Sequence, residues 1–275
     1  ASRDNERRGP VVRVRGGFQV NLGPSPDFAR LEREVALDFD PHAQADLAAL
    51  VCRHARRLRA YFERLGTRSV EEFGSRYGRR LDLGQARSAI VRRVPNLLVH
   101  AREEILPNAY VGVLIDRSGS MEVEKMERAK RFAALVAESC RGLRGIEGHL
   151  NSFDGDTFYR LGNFQRHSVG ALYASGGNND SGGLARAAEL ALASRKRNKL
   201  LVMISDGMPA ECTFESLANL VKRLTREYGI VCAQVAVDRI EHVAFPHYVD
   251  LSEYPFEESV ARFGNLLIRL TRGWR

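Results

Sequence analysis

The sequence predicts an α/β protein built on a doubly wound, mostly parallel sheet, preceded by a helical, arginine-rich extension. Three observations predict it. From residue 109 onward, short apolar runs alternate with segments of helical period, the signature of repeated strand–helix units. The runs "AYVGVLID", "KLLVMISD" and "IVCAQVAV" are apolar nearly throughout, as strands covered on both faces require. A hydrophobic content of 44% with 28% charged residues over 275 residues supports a sizeable buried core.

The elements come in order along the chain. Residues 1–40 form an N-terminal extension, where "VVRVRGGFQVNLG" alternates well enough for a short strand or hairpin around Gly16 and Gly17. Residues 41–107 read as a mainly helical unit. Leu47, Leu50, Val51, His54, Leu58, Tyr61 and Phe62 recur at three- and four-residue spacings, which is an amphipathic helix. Beyond it, Gly66, Gly74, Gly78 and Pro95 punctuate the chain into two shorter helices, and "NLLVHAREEILP" is an extended connector or edge strand ending at Pro107. The α/β domain proper occupies residues 108–275. "AYVGVLID" is its first strand, succeeded by a helix over 122–141 with Met126, Ala129, Phe132, Ala133 and Val136 on one side. "IEGHLNSF" and "DTFYRLGNF" are two strands turning at Asp154-Gly155. "SGGLARAAELALASRK" is a helix, "KLLVMISD" a strand, "TFESLANLVKRLTREYG" a helix, "IVCAQVAV" a strand and "FEESVARFGNLLIRLT" a closing helix.

Composition excludes several classes. No apolar run approaches the roughly 20 residues that span a bilayer, and "ASRDNERRGP" has no signal-peptide core. Ala1 in place of Met reads as a processed chain or a piece of a longer one. Cys52, Cys140, Cys212 and Cys232 are widely spaced with no CxxC pair, which argues for four buried free thiols in a reducing cytoplasm. Residues 1–100 carry 19 basic against 12 acidic side chains, and residues 101–275 carry 23 against 22, so the basic character belongs to the first half. Such a face could meet nucleic acid, but no nucleic-acid motif or interleaved aromatic accompanies it, and a solvated helix face is the simpler expectation.

Ligands of an open parallel sheet bind beyond the carboxyl ends of its strands. There the first strand ends at Asp116, with Ser118 and Ser120 just past it; "LLVMISD" ends at Asp206; and "ASGGNNDSGG" carries Asn178 and Asp180 into a helix. These are hard oxygen donors without His or Cys, a set suited to Mg²⁺, Mn²⁺ or Ca²⁺ rather than zinc or copper. Gly119 permits a tight turn after the strand, and residues two apart in it point the same way. Hydroxyl ligands leave a metal strongly electrophilic, so it seeks an acidic group from outside.

"DRSGSM", "GGNND" and "ISDG" together resemble the metal-ion-dependent adhesion site of von Willebrand factor A domains. In that family a DxSxS motif, a later Thr-bearing loop and a strand-end Asp complete the site. The resemblance maps these onto Asp116, Ser118 and Ser120, then the loop, then Asp206. Asn178 stands where Thr is common, and is expected to take its role directly or through water. Asp180 joins the set as a ligand or as support for its neighbours. The Asn and Asp two apart, the Arg-rich helix and "GRRLDLGQARSAI" resemble the bacterial cobalt-chelatase A-domain subunit and its relatives. The resemblance covers roughly residues 50–240. It implies one short antiparallel edge strand, for which "DTFYRLGNF" is the candidate. It also implies a binding module, not itself an enzyme, that works with a MoxR-like AAA+ ATPase.

Alternatives remain beside that reading. Asp116 as a phosphatase nucleophile lacks the second acid two residues on, where Ser118 stands. Ser118 or Ser120 as a nucleophile lacks a GxSxG elbow. Ser120 could cap the next helix, with Glu124 completing a near capping box, but that explains neither Asp206 nor Asn178. Asp154 and Asp156 read as hairpin residues, and His149, His167, His242 and His247 as structural. The expected function is an adaptor whose Mg²⁺ accepts a Glu or Asp from a partner. A non-catalytic subunit of a metal-chelatase complex is the alternative, and nucleic-acid binding through the basic half a second.

Overall fold

A computed structural model describes residues 30–63 and 108–271 apart from 208, 210, 211 and 240–242. It also describes 13–14, 17–18, 68–78, 80–81, 83–84, 91, 98–104 and 274. In chain order the first elements are β1 (Arg13–Val14), β2 (Gly17–Phe18), β3 (Arg33–Ala36), α1 (Pro41–Phe62), β4 (Arg68–Ser75), β5 (Arg80–Leu81) and β6 (Leu98–Glu104). Next come β7 (Ala109–Asp116), α2 (Val123–Cys140), β8 (Ile146–Phe153), β9 (Thr157–Asn163), α3 (Asp180–Ala193) and β10 (Asn198–Ser205). The chain closes with α4 (Phe214–Tyr228), β11 (Ile230–Ala236), β12 (Tyr248–Asp250) and α5 (Phe256–Thr271).

Seven strands form one sheet in the order β12-β11-β10-β7-β8-β9-β3. Strands β12, β11, β10, β7 and β8 run parallel. All eight residues of β7 are buried, because the strand is covered on both faces. Val111, Val113 and Ile115 enter a core shared with α1, α2 and α5, while Tyr110 and Leu114 enter one shared with α3 and α4. The sheet is doubly wound, as its uninterrupted apolar runs predict.

Among the described residues, strand β9 makes the one antiparallel pairing of this sheet, with β8. The edge itself is taken by β3, which pairs parallel with β9 from Arg33↔Thr157 to Ala36↔Arg160. Every residue of β3 is exposed, so no apolar pattern announced it. Glu34 nevertheless ties it down through Arg160 and through Arg186, 2.7 Å away.

Helix α1 starts where Asp40 accepts hydrogen bonds from the amides of His42 and Ala43 at 2.8 and 3.2 Å, with Pro41 supplying a preset first turn. Leu47, Val51, Ala55, Leu58 and Phe62 form its buried stripe. Leu50, expected on that stripe, is 63% exposed, because it lies about 100° from the stripe's centre. Cys52 is exposed for the same reason, while Cys140 and Cys232 are buried; all four cysteines are free.

The two shorter helices expected after α1 are a correction. Arg68–Ser75 and Arg80–Leu81 are strands, which flank β6 in a three-stranded antiparallel sheet of order β4-β6-β5. Short helices are marginal without packing, and these backbone groups find ladder partners on β6 instead. The register shifts between Glu72 and Ser75, around Gly74. Gly16, Gly66, Pro95, Pro107 and most of "GRRLDLGQARSAI" lie outside the described residues. Among the described residues no helix is long and apolar enough to cross a membrane.

Strand β7 lies between β8 and β10, so the chain winds away from it in both directions and its carboxyl end opens onto a crevice. The register decides what gathers there. Ile204 pairs with Ile115, which carries Asp206 just past the level of Asp116 on one side. Asp116 pairs with Phe153, which sets Asp154 beside Arg117 on the other.

Candidate functional site

Asp116 ends β7 fully buried. Its Oδ1 accepts the Ser118 amide at 2.7 Å, a bond that folds the chain back over the carboxylate. The hydroxyls of Ser118 and Ser120 then lie 3.1 Å apart, Ser118 buried and Ser120 open to solvent. Ser120 sits in a single 3-10 turn, Gly119–Met121, and does not cap α2; Glu122 occupies that position without a side-chain cap bond.

The second loop is laced onto the first. Ser175 donates its amide to the Arg117 carbonyl at 2.6 Å, and Gly119 donates to the Gly176 carbonyl at 3.0 Å. Gly176 has φ +84°, and a Cβ there would lie 3.2 Å from Cβ of Asp154. Only glycine tolerates both the left-handed backbone and the close approach. Past this crossing, Asn178 Nδ2 donates to Asp116 Oδ2 at 3.1 Å, and its Oδ1 accepts the Asp180 amide at 3.1 Å. Asn179 caps α3 by accepting the Gly182 amide at 2.9 Å. Asp180 is the first residue of α3, 2% exposed, and its Oδ1 has no hydrogen-bond partner.

Asp206 lies just past β10, 3% exposed, and its charge is felt by both Asp116 and Asp180. Burial pushes the Asp116 carboxyl up to about 7; the charges of Asp206 and Asp154 add to this, and hydrogen bonds from Ser118 oppose it. Burial also drives Asp180 well above the ordinary carboxylate range, reinforced by Asp116 and Asp206. All six residues that sequence reasoning placed here therefore come together, five of them buried. Three of them are carboxylates: the charge of Asp206 raises the cost of ionising Asp116, and the charges of both raise that of Asp180.

Two further residues, Lys125 and Asp238, border the site, and the lysine balances part of that charge. Lys125 Nζ lies 3.5 Å from Asp206 Oδ2 and 2.9 Å from Asp238 Oδ2. Against the cost of burial, these two acids hold the lysine above its ordinary pKa. Sequence reasoning missed both. The available signal was a lysine at the third position of a helix, where the dipole disfavours a cation. Asp154, read as a hairpin residue, is one: its Oδ1 accepts the amides of Asp156 and Thr157, and its Oδ2 the Tyr159 hydroxyl at 2.7 Å. It is also part of the site's field. Arg117, 4% exposed, is held between the rings of Tyr159 and Tyr173 at 4.3 and 4.5 Å.

The residues fit a hard divalent cation on two observations. Asp180 Oδ1 is a buried acceptor without a donor, and Asp116 is a buried carboxylate whose charge is held unfavourably. Among the described residues no three His, Cys, Asp or Glu side chains form a metal cage by themselves, so an ion here would draw on hydroxyls and water as well. His149 is engaged with the Tyr110 hydroxyl at 3.3 Å, and His242 lies outside the described residues. A groove of about 670 Å³ runs from Gly119 between α2 and residues 172–174, with Val123, Met126, Leu172 and Tyr173 along it and Glu122 at its rim.

No family model matches the sequence, and no curated protein matches it. Solved structures do. The SpRpn10 VWA domain is 15% identical, with a TM-score of 0.45, over 56% of this chain and 93% of that one. A von Willebrand factor type A structure from Catenulispora acidiphila is 20% identical, with a TM-score of 0.40, over 63% of this chain and 44% of that one. Three N-terminal domains of the type V pili tip protein Mfa5 from Porphyromonas gingivalis match at 22% identity and a TM-score of 0.31, over 37% of this chain. The chain spans 20% of that structure's length.

Proposed function

We propose that this chain is a von Willebrand factor A-type interaction module that binds a partner's Asp or Glu through a divalent cation. The observation that carries the reading is the gathering of Asp116, Asp180 and Asp206, buried at one strand edge, with Asp180 Oδ1 unpartnered. Asp116, Ser118, Ser120 and Asp206 would hold the ion, with Asp180 joining them directly or through water; Asn178 would orient them. Mg²⁺, the ion favoured over Mn²⁺ or Ca²⁺, would supply a Lewis-acidic centre with room for an outside oxygen ligand.

The protein's own part is positional. Asn178 holds Asp116 and Asp180 in fixed register, and the bonds between residues 117–119 and 175–176 keep the two loops together. The exposed Ser120 and the adjoining groove leave the approach open from solvent. The proposed role is adaptor rather than enzyme. A MoxR-like AAA+ ATPase is the partner class that the sequence resemblance supports.

Calorimetric titration of the metal-free protein with Mg²⁺, Mn²⁺ and Ca²⁺, alongside Asp116→Ala, tests the reading. Saturable binding that Asp116→Ala abolishes supports it, and equal heats for the two proteins refute it. For the partner, co-purification with a MoxR-like ATPase should be lost in EDTA and restored by Mg²⁺.

A further inference from the structure

We infer that Lys125 is a built-in competitor for the divalent ion, shared between Asp206 inside the site and Asp238 at its margin. This rests on the metal-site reading above and goes beyond it. Lys125 stands in the first turn of α2, where the helix dipole repels a cation. Two acids on different strand ends offset that: Asp206 Oδ2 at 3.5 Å and Asp238 Oδ2 at 2.9 Å. The two acids differ in setting. The Asp206 side chain is 2% exposed and Asp238 48%, so Lys125 reaches from solvent-facing Asp238 toward the buried site.

An ammonium that close to Asp206 neutralises one of the carboxylates a cation would use, and it repels a divalent charge twice as strongly as a monovalent one. Asp238 supplies the place to which the ammonium withdraws. Its carboxyl is held below the ordinary range, first by the Lys125 hydrogen bond, so it stays ionised and ready to hold the lysine. Metal affinity is then set by the balance of the lysine between two acids, and any contact that engages Asp238 returns Lys125 to Asp206 and weakens the ion's hold.

The test is Mg²⁺ affinity by calorimetry on the full chain in four forms: wild type, Lys125→Gln, Asp238→Asn and the double variant. Glutamine keeps most of the length of the stem and its helix propensity, so folding is retained. Lys125→Gln should tighten Mg²⁺ binding about fivefold or more, the loss of one nearby unit charge. Asp238→Asn should weaken it, and by clearly less in the Lys125→Gln background, because that effect acts through the lysine. The Lys125 ¹³Cε resonance should shift on adding Mg²⁺. Unchanged or weaker binding in Lys125→Gln overturns the inference while leaving the metal site standing. Absence of saturable binding in every form overturns both.

Discussion

Asn178 donates from Nδ2 to Asp116 Oδ2 at 3.1 Å across 62 residues of sequence, and so ties the helix-entry loop to the end of the first domain strand. Its Oδ1 is spent on the Asp180 amide, also at 3.1 Å. Both ends of the amide are engaged with the protein, so its contribution to a bound ion is orientation of Asp116. Asn178→Ala should therefore weaken Mg²⁺ binding by about 10–100-fold, the usual cost of losing a ligand's supporting partner. It should also leave a buried carboxylate oxygen short of a donor, lowering stability by about 1–3 kcal/mol. Calorimetry and chemical denaturation of the same variant read the two effects.

Asp180→Asn should separate stability from binding. In the unfolded chain this carboxyl ionises freely, whereas the fold must either bury its charge or supply a proton, and both cost free energy. Asparagine removes that cost. The metal-free variant should melt higher than wild type at pH 8, by about 2–4 °C for each kcal/mol recovered. With saturating Mg²⁺ the order should reverse, because the variant gains less from the ion. Differential scanning fluorimetry with EDTA and with Mg²⁺ shows whether the crossing occurs.

Gly183 marks where helix α3 meets the sheet. A Cβ at this position would lie 2.6 Å from Cγ of Phe153, a ring buried beneath the helix's first turn. Gly183→Ala must displace either the ring or the turn that carries Asp180, costing about 1–3 kcal/mol as overpacking. The melting temperature should fall, and Mg²⁺ affinity with it. A variant that melts as wild type would mean the helix can lift without consequence.

The α/β half was legible because its strands are buried on both faces: "AYVGVLID", "KLLVMISD" and "IVCAQVAV" have no polar alternation to obscure them. The same reasoning passes over β3, whose residues are all exposed and which is held by the ion pairs of Glu34. It misreads Arg68–Ser75 and Arg80–Leu81 because glycine and proline punctuation marks where elements break, not whether they are helices or strands, and the ladder partners on β6 decide that. At the site, oxygen donors at strand ends identify Asp116 and Asp206, since topology alone brings them together. Asp238 also follows a strand end, directly after "IVCAQVAV", and is passed over, whereas Lys125 could not be found that way. Their pairing depends on where a helix's first turn sits relative to two strand ends, which no spacing in the sequence encodes.

The acidity of Asp116 gives the site a pH dependence with a definite sign. Its carboxyl lies near 3.8 when unfolded and at about 7 in the metal-free fold, raised first by burial. Between those values the folded chain retains a proton that the unfolded chain has released. Stability contributed by this group is therefore greatest below about 4 and declines as pH rises toward 7. His167 acts oppositely between about 4 and 6.5, because burial depresses its pKa in the fold. The informative quantity is thus the difference between wild type and Asp116→Asn, which should change steadily from pH 5 to 7 and level off above. Mg²⁺ binds the deprotonated carboxylate, so its affinity should fall roughly tenfold per pH unit below 7. A Mg²⁺ affinity flat from pH 5 to 8 would show that Asp116 is not titrating in the metal-free protein, and that its charge is compensated by something other than the ion.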